Sequence, residues 1–199
     1  MADPLYLSLW FPSFDADDML PHALDVIRQF PFSTPQPGIT YVSMHPVSWN
    51  EATVLEQRFR PGVTPEEAIL HAADQIHEDY AYVFEASWDL WVPSAEDPGQ
   101  SWSSQPSIVK FIAHGLEFDG GVYEQDGHVL VDFGLDTLFL HEELKLTSET
   151  ETRVRANVAR LVEFTSKVEK NSGASARLLW SESEETFAQK LVARLQKVQ

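Results

Sequence analysis

Apolar and polar residues alternate along several stretches of the chain, and the period of each alternation separates strands from helices. Leu5, Leu7, Leu9 and Phe11 alternate with Tyr6, Ser8 and Trp10, which predicts a strand buried on at least one face. Asp15, Asp17 and Asp18 then precede a stripe of Leu20, Leu24, Ile27 and Phe30 at helical spacing. Carboxylates suit a helix N-terminus, where the macrodipole favours negative charge. Pro21 is tolerated in a first turn but not in an interior, so this helix is predicted to begin near Asp18. Residues 39–47 and 53–59 read as two more strands, joined by the loop HPVSWNEA. Thr64, Pro65 and Glu67 carry a capping box with proline at the first helical position, opening a helix that buries Ile69, Ala72, Ala73 and Ile76. Residues 80–92 form the clearest strand. Tyr80, Tyr82, Phe84, Ala86, Trp88 and Leu90 share one face, and Ala81, Val83, Glu85, Ser87, Asp89 and Trp91 share the other.

The order is thus β-α-β-β-α-β, a ferredoxin-like first half with both helices on the aromatic face of the sheet. PSAEDPGQSWSSQP, residues 93–106, has the composition of a linker or long surface loop. Strands follow over 107–118 and 128–135, with 137–140 extending the second. Ser148 and Glu151 make a capping box for a long helix with the stripe Val154, Val158, Leu161, Val162, Thr165 and Val168. After a short strand at 176–180, Ser181 and Glu184 cap a last helix bearing Phe187, Leu191, Leu195 and Val198. The second half reads β-β-α-β-α. The expected fold class is α+β, a mainly antiparallel sheet with helices packed on one face. One domain spanning 1–199 is expected, built of packed halves 1–92 and 107–199.

Length agrees with that reading, because 199 residues at 43% apolar content suffice for one sizeable core. No run approaches the roughly 20 apolar residues that span a bilayer, and the first residues lack the basic charge of a signal peptide. With no cysteine there is no disulfide framework, thiolate metal site or thiol nucleophile, and the cytoplasm is the default location.

Charge changes the picture more. Residues 1–100 hold three arginines against sixteen acids, net −13, and residues 101–199 hold eleven bases against fifteen acids, net −4. A surface at −17 repels phosphate backbones and anionic lipid, which argues against nucleic acid and membranes as partners. A basic protein partner, a cation or plain colloidal solubility remain.

The densest chemistry lies in HGLEFDGGVYEQDGHVLVDFGLDTLFLHEE, residues 114–143. Asp126-Gly127 is a two-residue hairpin signal, since a type I′ turn needs positive φ at both positions. A hairpin with that tip places Val129, Val131, Phe133 and Leu135 on a core face. It gathers Glu117, Asp119, Asp132 and Asp136 on the other, with His128 nearer the turn. Crowded carboxylates are relieved by water, by a shared proton or by a hard cation. The same pattern therefore describes either a divalent-cation site or a solvated face, and Gly120-Gly121 invites a bulge that would scatter it.

Other motifs are weaker. Asp132-Phe133-Gly134 has no kinase loops beside it. Asp15, Asp17 and Asp18 lack the glycine and glutamate of a calcium loop. His71 and His77 are spaced wrongly to stack on a helix. In the 45–52 loop, His45, Trp49, Asn50 and Glu51 set an aromatic platform beside hydrogen-bonding groups, a candidate ligand or partner contact. Glu85 and Asp89, on the polar phase of the longest strand, are further candidates for meeting a basic partner.

Two functions follow from different classes. The leading one is a non-enzymatic binding or interaction protein, without a cofactor, that meets a basic partner. The alternative is a hydrolase or lyase using the 117–136 carboxylates with His128, with a divalent cation as its cofactor.

Overall fold

A computed structural model describes residues 2–94, 101–142, 144, 147–182 and 186–196. The chain runs through β1 (Pro4–Trp10), α1 (Ala16–Ile27), β2 (Ile39–Pro46), β3 (Leu55–Arg58), α2 (Pro65–Ala73) and β4 (Tyr80–Pro93). It continues with β5 (Trp102–His114), a 3-10 turn (Phe118–Gly120), α3 (Tyr123–Asp126), β6 (Val129–Leu135), α4 (Thr137–Leu140), α5 (Ser148–Asn171), β7 (Ala176–Ser181) and α6 (Phe187–Gln196).

The strands make one seven-stranded sheet in the order β3-β2-β4-β5-β6-β1-β7, with every neighbouring pair antiparallel. β2 lies between β3 and β4, which therefore run parallel to each other and are joined through α2. β1 likewise lies between β6 and β7, joined through α5, and β5 bridges the two groups. Crossovers between parallel strands are right-handed, because a right-twisted strand feeding a helix packs back onto the sheet only that way. Given these strand directions, right-handed passage puts α1, α2 and α5 on the same face. The main core lies there. It takes Leu5, Leu7 and Leu9 from β1, Tyr82, Phe84 and Trp88 from β4, and Val129, Val131 and Phe133 from β6. The expected α+β antiparallel sheet with helices on one face is what forms.

The strands of the first half do not make a ferredoxin-like unit of their own. β1 pairs with β6 and β7, not with β2, β3 or β4. Strand alternation specifies which face each side chain takes, but not which distant strand lies alongside. α1 carries the chain over three strands before β2 begins.

Local signals are more faithful. Asp15 caps α1, accepting from the N–H groups of Asp17 and Asp18, so the helix starts at Ala16 rather than near Asp18. Thr64 and Glu67 form the expected capping box. The box at α5 lies one residue earlier than expected, between Thr147 and Thr150 rather than Ser148 and Glu151. Residues 137–140 form a helical turn rather than a strand extension. Thr186 and Gln189 cap α6. The loop expected over 93–106 is shorter: Pro93 ends β4 and residues 102–106 already pair with it as the start of β5, while residues 95–100, Glu184 and Val198 lie outside the described residues.

The hairpin is also corrected. β5 and β6 do pair, Lys110 opposite Asp132 and Ala113 opposite Val129, but Asp126-Gly127 is not its tip. Asp119, Gly120 and Gly121 all have positive φ (48°, 70° and 86°), which turns the chain out of the sheet into two helical turns. Phe118 and Val122 then pack on Ala81, Val83, Ile112 and Leu130, on the face opposite the helices. Gly127 serves close approach instead: a Cβ there would sit 2.8 Å from the Leu9 nitrogen. Val129, Val131 and Phe133 are buried as expected, whereas Leu135 is exposed.

Candidate functional site

All three long crossover helices occupy one face, so most of the other face stays open. Directly opposed residues share a face, and the registers align one row across all seven strands. It runs Arg58, Tyr41, Glu85, Lys110, Asp132, Tyr6, Trp180. The neighbouring row is more apolar: Glu56, Ser43, Val83, Ile112, Leu130, Ser8, Leu178.

The segment after β5 walls one end of this face. The Gly115 and Glu117 N–H groups donate to the Tyr80 and Glu78 carbonyls, and the Asp119 N–H donates to Val47. Trp49 leans from the β2–β3 loop against this wall, edge-on to Phe118 and His45, with ring centroids 4.9 Å away in each case. Trp10 fastens the other side, its Nε1–H donating to the Tyr123 carbonyl. Two adjoining cavities result. One, of about 310 Å³, is lined by Tyr41, His45, Trp49, Glu85, Lys110 and Asp132 among others. The second, of about 350 Å³, is lined by Tyr6, Trp49, His114, Asp126, Asp132, Trp180 and Glu182 among others.

Lys110 stands opposite both Glu85 and Asp132, yet among the described residues it makes no ion pair. One Asp132 oxygen accepts the Gly134 N–H at 2.8 Å. Arg58 lies over the Tyr41 ring, 5.1 Å from its centroid. Tyr6 and Trp180 are aromatic neighbours at 4.8 Å, and the Trp180 indole is oriented by its Nε1–H bond to Ser8 Oγ.

The surroundings set the ionisation of three side chains. Burial, reinforced by the charges of Asp132, Glu182 and Asp126, raises the Tyr6 phenol. Burial lowers His45, whose Nε2 lies 2.9 Å from Ser43 Oγ. Burial also lowers His114, so its ring is neutral at pH 7. Its Nδ1–H donates to the Gly127 carbonyl at 2.9 Å, which leaves Nε2 as a free acceptor.

Of the residues singled out by sequence, the structure brings Asp132, His45, Trp49 and Glu85 onto this face. The four hairpin carboxylates do not meet. Asp136 is buried, paired to Lys190 at 2.9 Å and to the Asp3 N–H at 3.0 Å. Glu117 and Asp119 are exposed on the walling segment, and Asn50 and Glu51 are exposed at their loop tip. Asp89 accepts from Ser33 Oγ at 2.6 Å and from the Thr34 N–H at 2.9 Å, which ties down the loop before β2. Among the described residues, no group of three or more His, Asp or Glu is placed to hold a metal ion.

Sequence reasoning missed Tyr6, Tyr41, Lys110 and Trp180. Each is the off-core member of an alternating strand, and that phase was their only signal.

Comparison with protein-family models, with curated proteins and with solved structures returned no match. Among the described residues, no helix is long and apolar enough to cross a membrane.

Proposed function

We propose that the protein is a non-enzymatic binding protein whose open sheet face receives a basic segment of a protein partner. The observation that carries this reading is the row from Arg58 to Trp180, which crosses all seven strands without a helix over it. An antiparallel sheet can leave one face to water, but such a face is ordinarily polar. Here Tyr6, Tyr41, Trp49 and Trp180 line it, with Ile108 and Leu178 more than half exposed nearby. Exposed aromatic and apolar area of this kind, rimmed by charge, marks contact surfaces. The net charge of −17 selects a basic partner and steers it, since long-range attraction raises the encounter rate.

The test compares three proteins as bait: wild type, Tyr41→Ala, and Glu163→Gln on the outer surface of α5. A partner should be retained by wild type and Glu163→Gln, lost by Tyr41→Ala, and carry net positive charge. Its association rate should fall steeply between 50 and 200 mM salt. Capture that Tyr41→Ala leaves intact while Glu163→Gln abolishes it would move the contact to the helical face and end the proposal.

A further inference from the structure

We propose that the cavity bounded by Tyr6, Trp180, Trp49, Asp126, Asp132 and His114 is a receptor for an arginine side chain of the partner. This rests on the open face being the contact surface and specifies what that face recognises.

Charge is the first reason. Three carboxylates, Asp126, Asp132 and Glu182, line the cavity, and among the described residues no lysine or arginine does. Their effect is felt inside it, because all three act on the Tyr6 phenol. An unpaired set of carboxylates beside a low-dielectric wall is stabilised by a cation brought from outside.

The second reason is independent of charge. His114 is 1% exposed, and its Nδ1–H is committed to the Gly127 carbonyl. The ring lines the cavity, and no described residue bonds Nε2. An uncommitted acceptor on a side chain held almost wholly inside the protein, in the lining of a cavity, is satisfied by a donor that enters there. It favours a hydrogen-bond donor over an anion or a carbonyl.

Shape selects between the cationic side chains. Tyr6 and Trp180, in contact at 4.8 Å and 37°, line the cavity together with Trp49, so the occupant meets aromatic rings as well as oxygens. A guanidinium is planar, weakly hydrated and stacks on aromatic rings, with five donors arranged in a fork. An ammonium is a compact, strongly hydrated point charge. Several acceptors among aromatic rings therefore favour arginine.

The experiment needs no partner. N-acetyl-arginine amide is titrated into the full chain, with the indole N–H resonances of Trp49 and Trp180 followed by NMR. The lysine and citrulline analogues serve as comparisons, citrulline being the neutral isostere. A fragment of this size should bind with Kd of about 1–10 mM. Citrulline should bind at least about fivefold more weakly, and lysine about threefold more weakly, as expected for loss of charge and of stacking. Asp126→Asn, whose carboxylate makes no hydrogen bond or ion pair among the described residues, should weaken arginine without disturbing the remaining spectrum, and Asp132→Asn should do so independently. Absence of saturation up to about 50 mM, or equal binding of the three analogues, overturns the proposal. Should the analogue fail while Tyr41→Ala still abolishes partner capture, only this pocket falls. Should it bind while capture ignores the open face, only the wider reading falls.

Discussion

The Phe11 N–H donates to His128 Nδ1 at 2.9 Å, across a stack that packs His128 on Phe14 with ring centroids 4.6 Å apart. Only a neutral imidazole can accept that bond. Burial, with the nearby His22 and His114, pushes the His128 pKa down from 6.5 to about 4.

Acid should therefore destabilise the fold through this group. The unfolded chain takes up the proton near pH 6.5 and the folded chain only near pH 4, so stability is present above 6.5 and is lost as pH falls between those values. The slope is at most about 1.4 kcal/mol per pH unit. His128→Phe should flatten this acid limb while costing about 1–3 kcal/mol at pH 7, because it strands the Phe11 N–H. Chemical denaturation of both proteins at pH 7 and pH 5 measures the two effects; an unchanged acid slope in His128→Phe would refute the assignment.

Asn157 should be worth more than an ordinary helix residue. It accepts the Trp91 N–H at 2.8 Å and donates to the Trp91 and Leu138 carbonyls at 2.9 Å each, fastening the end of β4 to α5 and α4. Asn157→Leu removes all three bonds and leaves partly buried backbone groups unpaired, with an expected loss of about 2–4 kcal/mol. Urea denaturation should show the midpoint falling with little change in slope.

Lys190 joins Asp3, before β1, to Asp136, after β6, and its side chain is only 7% exposed. Burial pulls its pKa down, but its hydrogen bonds to Asp3 and Asp136 more than reverse this. Lys190→Met takes the cation from the buried Asp136 carboxylate and the partly buried Asp3 carboxylate and should cost about 3–5 kcal/mol. Adding Asp136→Asn should recover part of that loss. No recovery in the double variant would mean the ammonium acts through packing alone.

Glu85 and Asp89 share a strand face but should behave differently. Glu85→Gln together with Asp132→Asn should slow association with a basic partner more than it speeds dissociation, and the difference should shrink with salt. Asp89→Asn should instead lower stability, because Ser33 and Thr34 depend on that carboxylate. Stopped-flow kinetics and a melting curve separate the two outcomes.

A fragment beginning at residue 102 should not fold. β6 and β7 do not touch each other in the sheet, and β1 fills the place between them. For the same reason the full chain should unfold in one cooperative transition. A fragment with dispersed amide resonances, or two separated transitions, would contradict a shared sheet.

The core-facing phase of β1, of β4 and of β6 as far as Phe133 was legible in the chain alone, because side chains alternate with period two and apolar residues follow one phase. Leu5, Leu7 and Leu9, or Phe84 and Trp88, could be placed without knowing any neighbour. The Thr64–Glu67 cap was legible too, its partners lying three residues apart. That Tyr6 comes beside Asp132, or that Lys110 lies between Glu85 and Asp132, emerges only when distant strands pair. Alternation carries no information about which strands pair or at what offset, since those choices depend on crossovers by α1, α2 and α5. The Asp126-Gly127 signal misled for a related reason. A turn propensity worth little was outweighed once Phe118 and Val122 found apolar surface on Val83, Ile112 and Leu130, residues that no local pattern connects to them. The candidate site is thus written in the off-core phase of seven strands, and becomes a site only when long-range pairing aligns them.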